Sequence, residues 1–138
     1  MQSISPEIIF RGNDAWKEAL PQITKLSKRP LILGRSIHTN NLRNKIHKDL
    51  KDQNLYVYSA NLEFDCCLED LSRIKNIIQR NKCDSIIAAG GGKVLDAGKY
   101  LADCLSLPSI TVPLSASTCA GWTALSNIYT INGQFIKD

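Results

Sequence analysis

The sequence predicts an α/β fold in which a doubly wound parallel sheet carries helices on both faces. Three observations predict it. Short apolar runs recur between segments of helical periodicity along the whole chain. Those runs, such as RPLILG and DSIIAAG, are continuously apolar and not alternating, so both faces of each strand are buried. The length of 138 residues, with 43% hydrophobic and 22% charged, suits one domain with a real core and no need of disulfides.

Each element follows from its own pattern. EIIFRG, Glu7–Gly12, reads as a strand, and NDAWKEALPQITKLSK as a helix capped by Asn13 or Asp14, with Pro21 as a point of break or kink. RPLILG, Arg29–Gly34, is the next strand. HTNNLRNKIHKDLKD sets Leu42, Ile46 and Leu50 four apart, a helical stripe. NLYVYSA is a strand, and CCLEDLSRIKNIIQR brings Leu68, Leu71, Ile74 and Ile78 onto one helix face. DSIIAAG is a fourth strand, and the helix after it turns Val94, Ala97, Leu101 and Leu105 inward. PSITVP, Pro108–Pro113, is a fifth. Beyond it LSASTCAG is small and polar, and ALSNIYTINGQFIKD reads as a β-hairpin with Asn132-Gly133 in a two-residue turn. The hairpin stops three residues after Phe135, so the chain is expected to be part of a longer architecture, whether a fragment, an isolated domain or a truncated product.

Composition narrows the function. A net charge of +4 with Lys and Arg spread along the chain reads as solvated surface charge, weakly in favour of an anionic ligand and against a nucleic-acid groove. The five cysteines, Cys66, Cys67, Cys83, Cys104 and Cys119, are odd in number and lack zinc spacing, as in the reduced thiols of a cytoplasmic protein. No apolar run approaches the roughly 18 residues of a membrane span, and no signal peptide opens the chain. His38 and His47 read as surface residues, so no metal ligand is assigned.

The stretch IIAAGGGKVLDAGKY, Ile86–Tyr100, lies where ligands sit in such sheets, beyond the carboxyl end of a strand. Two phosphate motifs fail on spacing. A Walker A loop would need Gly at Ile87 and Ser or Thr at Val94, and GxGxxG from Gly90 would need Gly at Leu95. The underlying physics survives: glycines at a strand-to-helix turn let a ligand approach the backbone, and free amides at a helix start favour an anion, most often a phosphate. Lys93 adds a mobile positive charge. The alternative is a tight turn in which the glycines only satisfy sterics. Asp96 has two readings as well, a first-turn acid paired with Lys99, or a functional carboxylate.

GGGKVLDAGK resembles the GGGKxxDxxK signature of the iron-containing alcohol dehydrogenase and glycerol dehydrogenase superfamily. TVPLSASTCAGWTALSNIYTINGQF is similar to the glycerol dehydrogenase segment VPT-x-AST-DAP-x-SALS-x-IYT-x-x-G-x-F, and the spacing between the two segments matches without a gap. The resemblance implies that residues 1–138 are the Rossmann-like N-terminal NAD(P)-binding domain. It implies that Gly91, Gly92 and Lys93 hold the cofactor pyrophosphate, with Gly90 in the same cofactor-binding set and Asp96 near the ribose and nicotinamide side of the cleft. Ser117, Thr118, Thr123, Leu125 and Tyr129 would line the nicotinamide and substrate region, with Cys119 close to substrate.

The chain departs from the family pattern at informative positions. Cys119 stands for the Asp of DAP, Gly121 for its Pro and Leu114 for the Thr after VP, so a carboxylate suited to a polyol is lost and glycerol itself is in doubt. Cys119 is then a small filler or a participating thiol. At the end of LILGRS, where NAD-preferring relatives often carry Asp, Arg35 and Ser36 stand instead. A guanidinium can bind a 2′-phosphate, which leans the cofactor toward NADP over NAD; the alternative is a solvated Arg35.

The implied function is that of the cofactor-binding domain of a metal-dependent, NAD(P)-linked alcohol or polyol dehydrogenase. In that family a metal, iron or zinc, polarises the alcohol oxygen and a hydride passes to nicotinamide. Its ligands come from a helical domain that these residues do not contain, so no catalytic residue is assigned and the chain alone is expected to bind cofactor without turnover. Expected partners are the dinucleotide, a small alcohol or polyol and a second copy in a homo-oligomer, with no nucleic acid and no membrane. Two other readings stay open, a dehydroquinate synthase-like lyase domain and a non-catalytic nucleotide-binding module.

Overall fold

The computed structural model describes residues 3–4, 7–11, 14–35, 37–63, 68–114, 127–131 and 135–136. In chain order the elements are β1 (Ser3–Ile4), β2 (Glu7–Arg11), α1 (Ala15–Leu26), β3 (Pro30–Gly34) and α2 (Asn40–Asp52), the last preceded by a 3-10 turn at Ile37–Thr39. There follow β4 (Tyr58–Asn61), α3 (Leu68–Arg80), β5 (Ser85–Gly90), α4 (Gly92–Leu105), β6 (Ser109–Pro113), β7 (Asn127–Ile131) and β8 (Phe135–Ile136).

The main sheet has the strand order β2-β7-β6-β5-β3-β4, and its β6-β5-β3-β4 part is wholly parallel. Alternate residues of its central strands feed two cores. Ile32, Ile87, Ala89, Ile110 and Val112 pack with Trp16, Ile23, Ile46 and Leu50 of α1 and α2. Leu31, Leu33, Ile86 and Ala88 pack with Ile74 and Ile78 of α3 and Val94 and Leu101 of α4. The sheet is therefore covered on both faces, as continuous apolar strands require. From β3 the chain leaves to α2 on one face, and from the neighbouring β5 it leaves to α4 on the other. That divergence makes the carboxyl ends of β3 and β5 a topological switch point, where sheets of this kind bind ligands.

The amino ends of the same strands are latched. Asp84 accepts hydrogen bonds from Ser27 Oγ at 2.5 Å and from the amides of Lys28 at 2.9 Å and Arg29 at 3.0 Å. Buried Ser85 donates its hydroxyl to Ser27 at 2.7 Å. Arg29 reaches the Asn81 carbonyl and the Tyr58 hydroxyl and lies over the rings of Tyr56 and Tyr58.

Several expectations change. Pro21 does not end α1, which continues to Leu26: the proline is exposed, and buried Ala15, Trp16, Ala19 and Ile23 pin the helix on both sides of it. Leu68 is 74% exposed, because the buried place in the first turn of α3 goes to Asp70. The Asp70 carboxylate accepts the Glu63 amide at 2.8 Å and Arg73 Nη2 at 2.6 Å. Among the described residues β7 and β8 do not pair with each other as a hairpin would. β7 lies between β2 and β6, antiparallel to both, and β8 pairs with β1 in a separate sheet. Both strands take partners far away in sequence; Asn132 and Gly133 lie outside the described residues.

Candidate functional site

The glycines begin where β5 ends. Gly90 is the final strand residue, Gly91 is the N-cap of α4 in an extended conformation, and Gly92 is its first residue. The register Gly90↔Pro113 and a 2.9 Å bond from the Leu114 amide to the Gly90 carbonyl hold this turn against β6. A Cβ on Gly90 would stand 3.0 Å from Val94 Cγ2, so close packing explains that glycine.

Gly91 and Gly92 differ. A Cβ on either would meet nothing within 4 Å, and neither has the left-handed backbone that excludes side chains. Both are exposed. The fold itself could accommodate a side chain at each, which removes the steric account of the turn at these positions. What remains is a bare stretch of backbone open to a ligand. Among the described residues no side chain caps α4, and its first turn carries no acid. The positive end of the helix dipole therefore has no carboxylate of that turn to offset it. Asp96 lies beyond that first turn, exposed, and among the described residues it makes no ion pair with Lys99. Asp96 is not a first-turn acid because α4 opens at Gly92.

Arg35 follows β3 directly and is exposed. The register Leu33↔Ala88 carries it to the same end of the sheet as the glycines, so the structure brings Arg35, Gly90, Gly91, Gly92 and Lys93 to one rim. Tyr129 sits in β7 opposite Thr111 and Ile9. Leu114 is buried in the core shared with α1 and α2. Ser36, Ser117, Thr118, Cys119, Gly121, Thr123 and Leu125 lie outside the described residues.

One residue at this rim was not anticipated from the sequence. Arg43 of α2 is 5% exposed. Its guanidinium fills the space beside Gly34 where a side chain would otherwise stand. Nη1 donates to Thr39 Oγ1 at 2.5 Å and to the Ala89 carbonyl at 3.3 Å. Burial lowers its pKa from the ordinary value, yet a guanidinium keeps its charge at neutral pH. The sequence did hold a signal. The stripe of Leu50 and Ile46, carried back at helical spacing, arrives at Arg43 and then Thr39, and all four are buried.

Other features lie elsewhere. An open groove of roughly 520 Å³ is lined by Asn44, His47, Lys48, Lys51, Asp52 and Ser59. It runs toward the carboxyl end of α2, which feeds the amino end of β4, and so lies away from the glycine rim. His47 is half-buried, not fully on the surface; burial first, then the Lys51 charge, lowers its pKa. Cys83 is buried and Cys104 exposed, both free thiols. Among the described residues no three His, Cys, Asp or Glu side chains are placed to hold a metal, and no helix is long and apolar enough to cross a membrane.

Comparison with known proteins agrees with this geometry. The family described as iron-containing alcohol dehydrogenase matches residues 6–137. An uncharacterized oxidoreductase of Synechocystis is 36% identical over 137 residues, 99% of this chain and 35% of that protein. A glycerol dehydrogenase of Escherichia coli is 32% identical over 131 residues, 95% of this chain and 36% of the relative. The crystal structure of maleylacetate reductase from a Rhizobium strain superposes with a TM-score of 0.69 at 19% identity, over 83% of this chain and 33% of that one, a likeness of fold. The chain thus spans about a third of the length of the curated relatives it matches.

Proposed function

Because the chain belongs to the iron-containing alcohol dehydrogenase family, we propose that it supplies the dinucleotide-binding domain of an NAD(P)-linked oxidoreductase acting on a small alcohol or polyol. The observation that carries this reading is the pair Gly91 and Gly92. A Cβ on either would meet nothing within 4 Å, and they open a helix that no side chain caps among the described residues, at the switch point of the sheet. The cofactor phosphates would lie against the amides at the start of α4, with Lys93 beside them. Exposed Arg35 on the same rim supports a preference for NADP over NAD, since a guanidinium can pair with a 2′-phosphate.

When bound, the nicotinamide supplies the hydride-accepting centre. This chain's share of the chemistry is to bind and orient it. The described residues hold no metal ligand set, so no step through a metal is derived from them. The isolated chain is accordingly expected to bind cofactor without turning over alcohol. Residues Ser117, Thr118, Thr123, Leu125 and Tyr129 are proposed to flank the nicotinamide, and Cys119 to face the substrate. The similarity to a glycerol dehydrogenase supports a dehydrogenase over a lyase. Cys119, in place of the family's Asp, argues for a substrate other than glycerol.

Fluorescence titration of the chain with NADPH and NADH in parallel tests the reading. Saturable binding, tighter for NADPH, is the expected result. Equal affinities would remove the role given to Arg35, and no binding of either would overturn the cofactor assignment.

A further inference from the structure

We infer that Arg43 is the positioning residue of the glycine rim: from α2 it braces the carbonyl of Ala89 and thereby sets the direction of the Gly91 and Gly92 amides toward an anion. The geometry is specific. α2 lies on one face of the sheet and α4 on the other, and Arg43 reaches from the first to the strand that launches the second. Its Nη1 donates to the Ala89 carbonyl, and Gly90 and Gly91 follow directly along the chain. The same nitrogen donates to Thr39 in the turn that leaves β3. One buried guanidinium therefore ties together the two turns that diverge at the switch point.

Gly34 makes this possible. Any side chain there would occupy the guanidinium's place, so β3 ends in a glycine over which Arg43 can lie. Burying a charge at 5% exposure is costly and needs compensation from hydrogen bonds. A purely apolar core position would be met more simply by Leu or Met, and Ile46 and Leu50 on the same stripe do so.

The inference rests on the cofactor reading for its effect on affinity, but its effect on the loop stands apart from it. The test compares the parent chain with Arg43→Met and Arg43→Lys at a temperature where far-UV circular dichroism shows all three folded. Amide hydrogen exchange is followed in the 90–95 segment and in α3. Dinucleotide affinity is titrated with NADPH and NADH. Arg43→Met is expected to speed exchange in the 90–95 segment with α3 unchanged, and to weaken binding about tenfold. Arg43→Lys, which keeps the charge and one donor toward Ala89, is expected to recover most of both. Exchange in the 90–95 segment at the parent rate, or parent-like affinity in Arg43→Met, would overturn the inference. If the parent itself bound no dinucleotide, the cofactor reading would fall, and the exchange rates alone would decide whether Arg43 orders the loop.

Discussion

The guanidinium of Arg43 occupies the space that a side chain on Gly34 would need. Gly34 is buried at the end of β3, so a methyl group there has to displace the Arg43 guanidinium from its hydrogen bonds to Thr39 and Ala89. Gly34→Ala is expected to lose about 2–4 kcal/mol of stability in urea unfolding. Combined with Arg43→Ala, the loss should be smaller than the sum of the two single losses by at least about 1 kcal/mol. Strict additivity would show that the two positions do not compete for one space.

The glycines of α4 should separate stability from binding. A Cβ on Gly98 would stand 2.5 Å from Ala88 Cβ, where helix and strand pack closely, so Gly98→Ala is expected to cost about 1–3 kcal/mol. Gly92→Ala meets nothing and adds a better helix former, so unfolding should stay within about 0.5 kcal/mol of the parent. Its dinucleotide affinity should nevertheless fall about tenfold, because the new methyl would stand in the place proposed for the cofactor phosphates. Unchanged affinity in Gly92→Ala would reduce that glycine to an accident of sequence.

The latch at the opposite end of the strands gives the converse case. Asp84→Ala removes the acceptor of three hydrogen bonds and leaves buried Ser27 without its carboxylate. A stability loss of about 2–3 kcal/mol is expected, with dinucleotide affinity of the folded protein unchanged. Thermal melts and titrations on the same sample check both halves.

Alkaline pH should weaken the fold through Cys83. Burial first, and then the nearby Asp84 charge, raise this thiol to about 11, against an opposing pull from Arg29. The folded state therefore keeps a proton that the unfolded chain releases from about pH 9 upward, where a thiol ordinarily ionises. Stability contributed by the protonated thiol is complete below that pH and is lost as pH rises toward 11, on the order of 2–3 kcal/mol. Urea midpoints at pH 7.5 and pH 10 should fall further for the parent than for Cys83→Ala. Parallel declines would place the pH sensitivity elsewhere.

Much of this was legible in the sequence because the parallel strands are buried on both faces. RPLILG, DSIIAAG and PSITVP announce themselves as unbroken apolar runs, and the glycines after Ala89 mark the carboxyl end of β5. The rest depended on relations that local patterns do not carry. Asn132-Gly133 reads as a hairpin turn, yet β7 and β8 take partners near the other end of the sequence. Leu68 has the right spacing for a buried face, but Asp70 takes the first-turn place through its bonds to Glu63 and Arg73. Arg43 was hidden by its type. A charged residue on a helix reads as solvated until the stripe through Ile46 and Leu50 is followed back to it.

The central position of β7 has a consequence for how the protein is made. Glu7 pairs with Ile131 and Arg11 with Asn127, so β2 has no neighbour in the main sheet until residues more than a hundred positions later have been synthesised. The four parallel strands between them need no such wait and can collapse around their own helices. During translation at about 5–20 residues per second, Ile8, Ile9 and Phe10 remain an unpaired hydrophobic strand for many seconds. That interval, and not the stability of the finished sheet, is when a nascent chain of this topology most needs a chaperone.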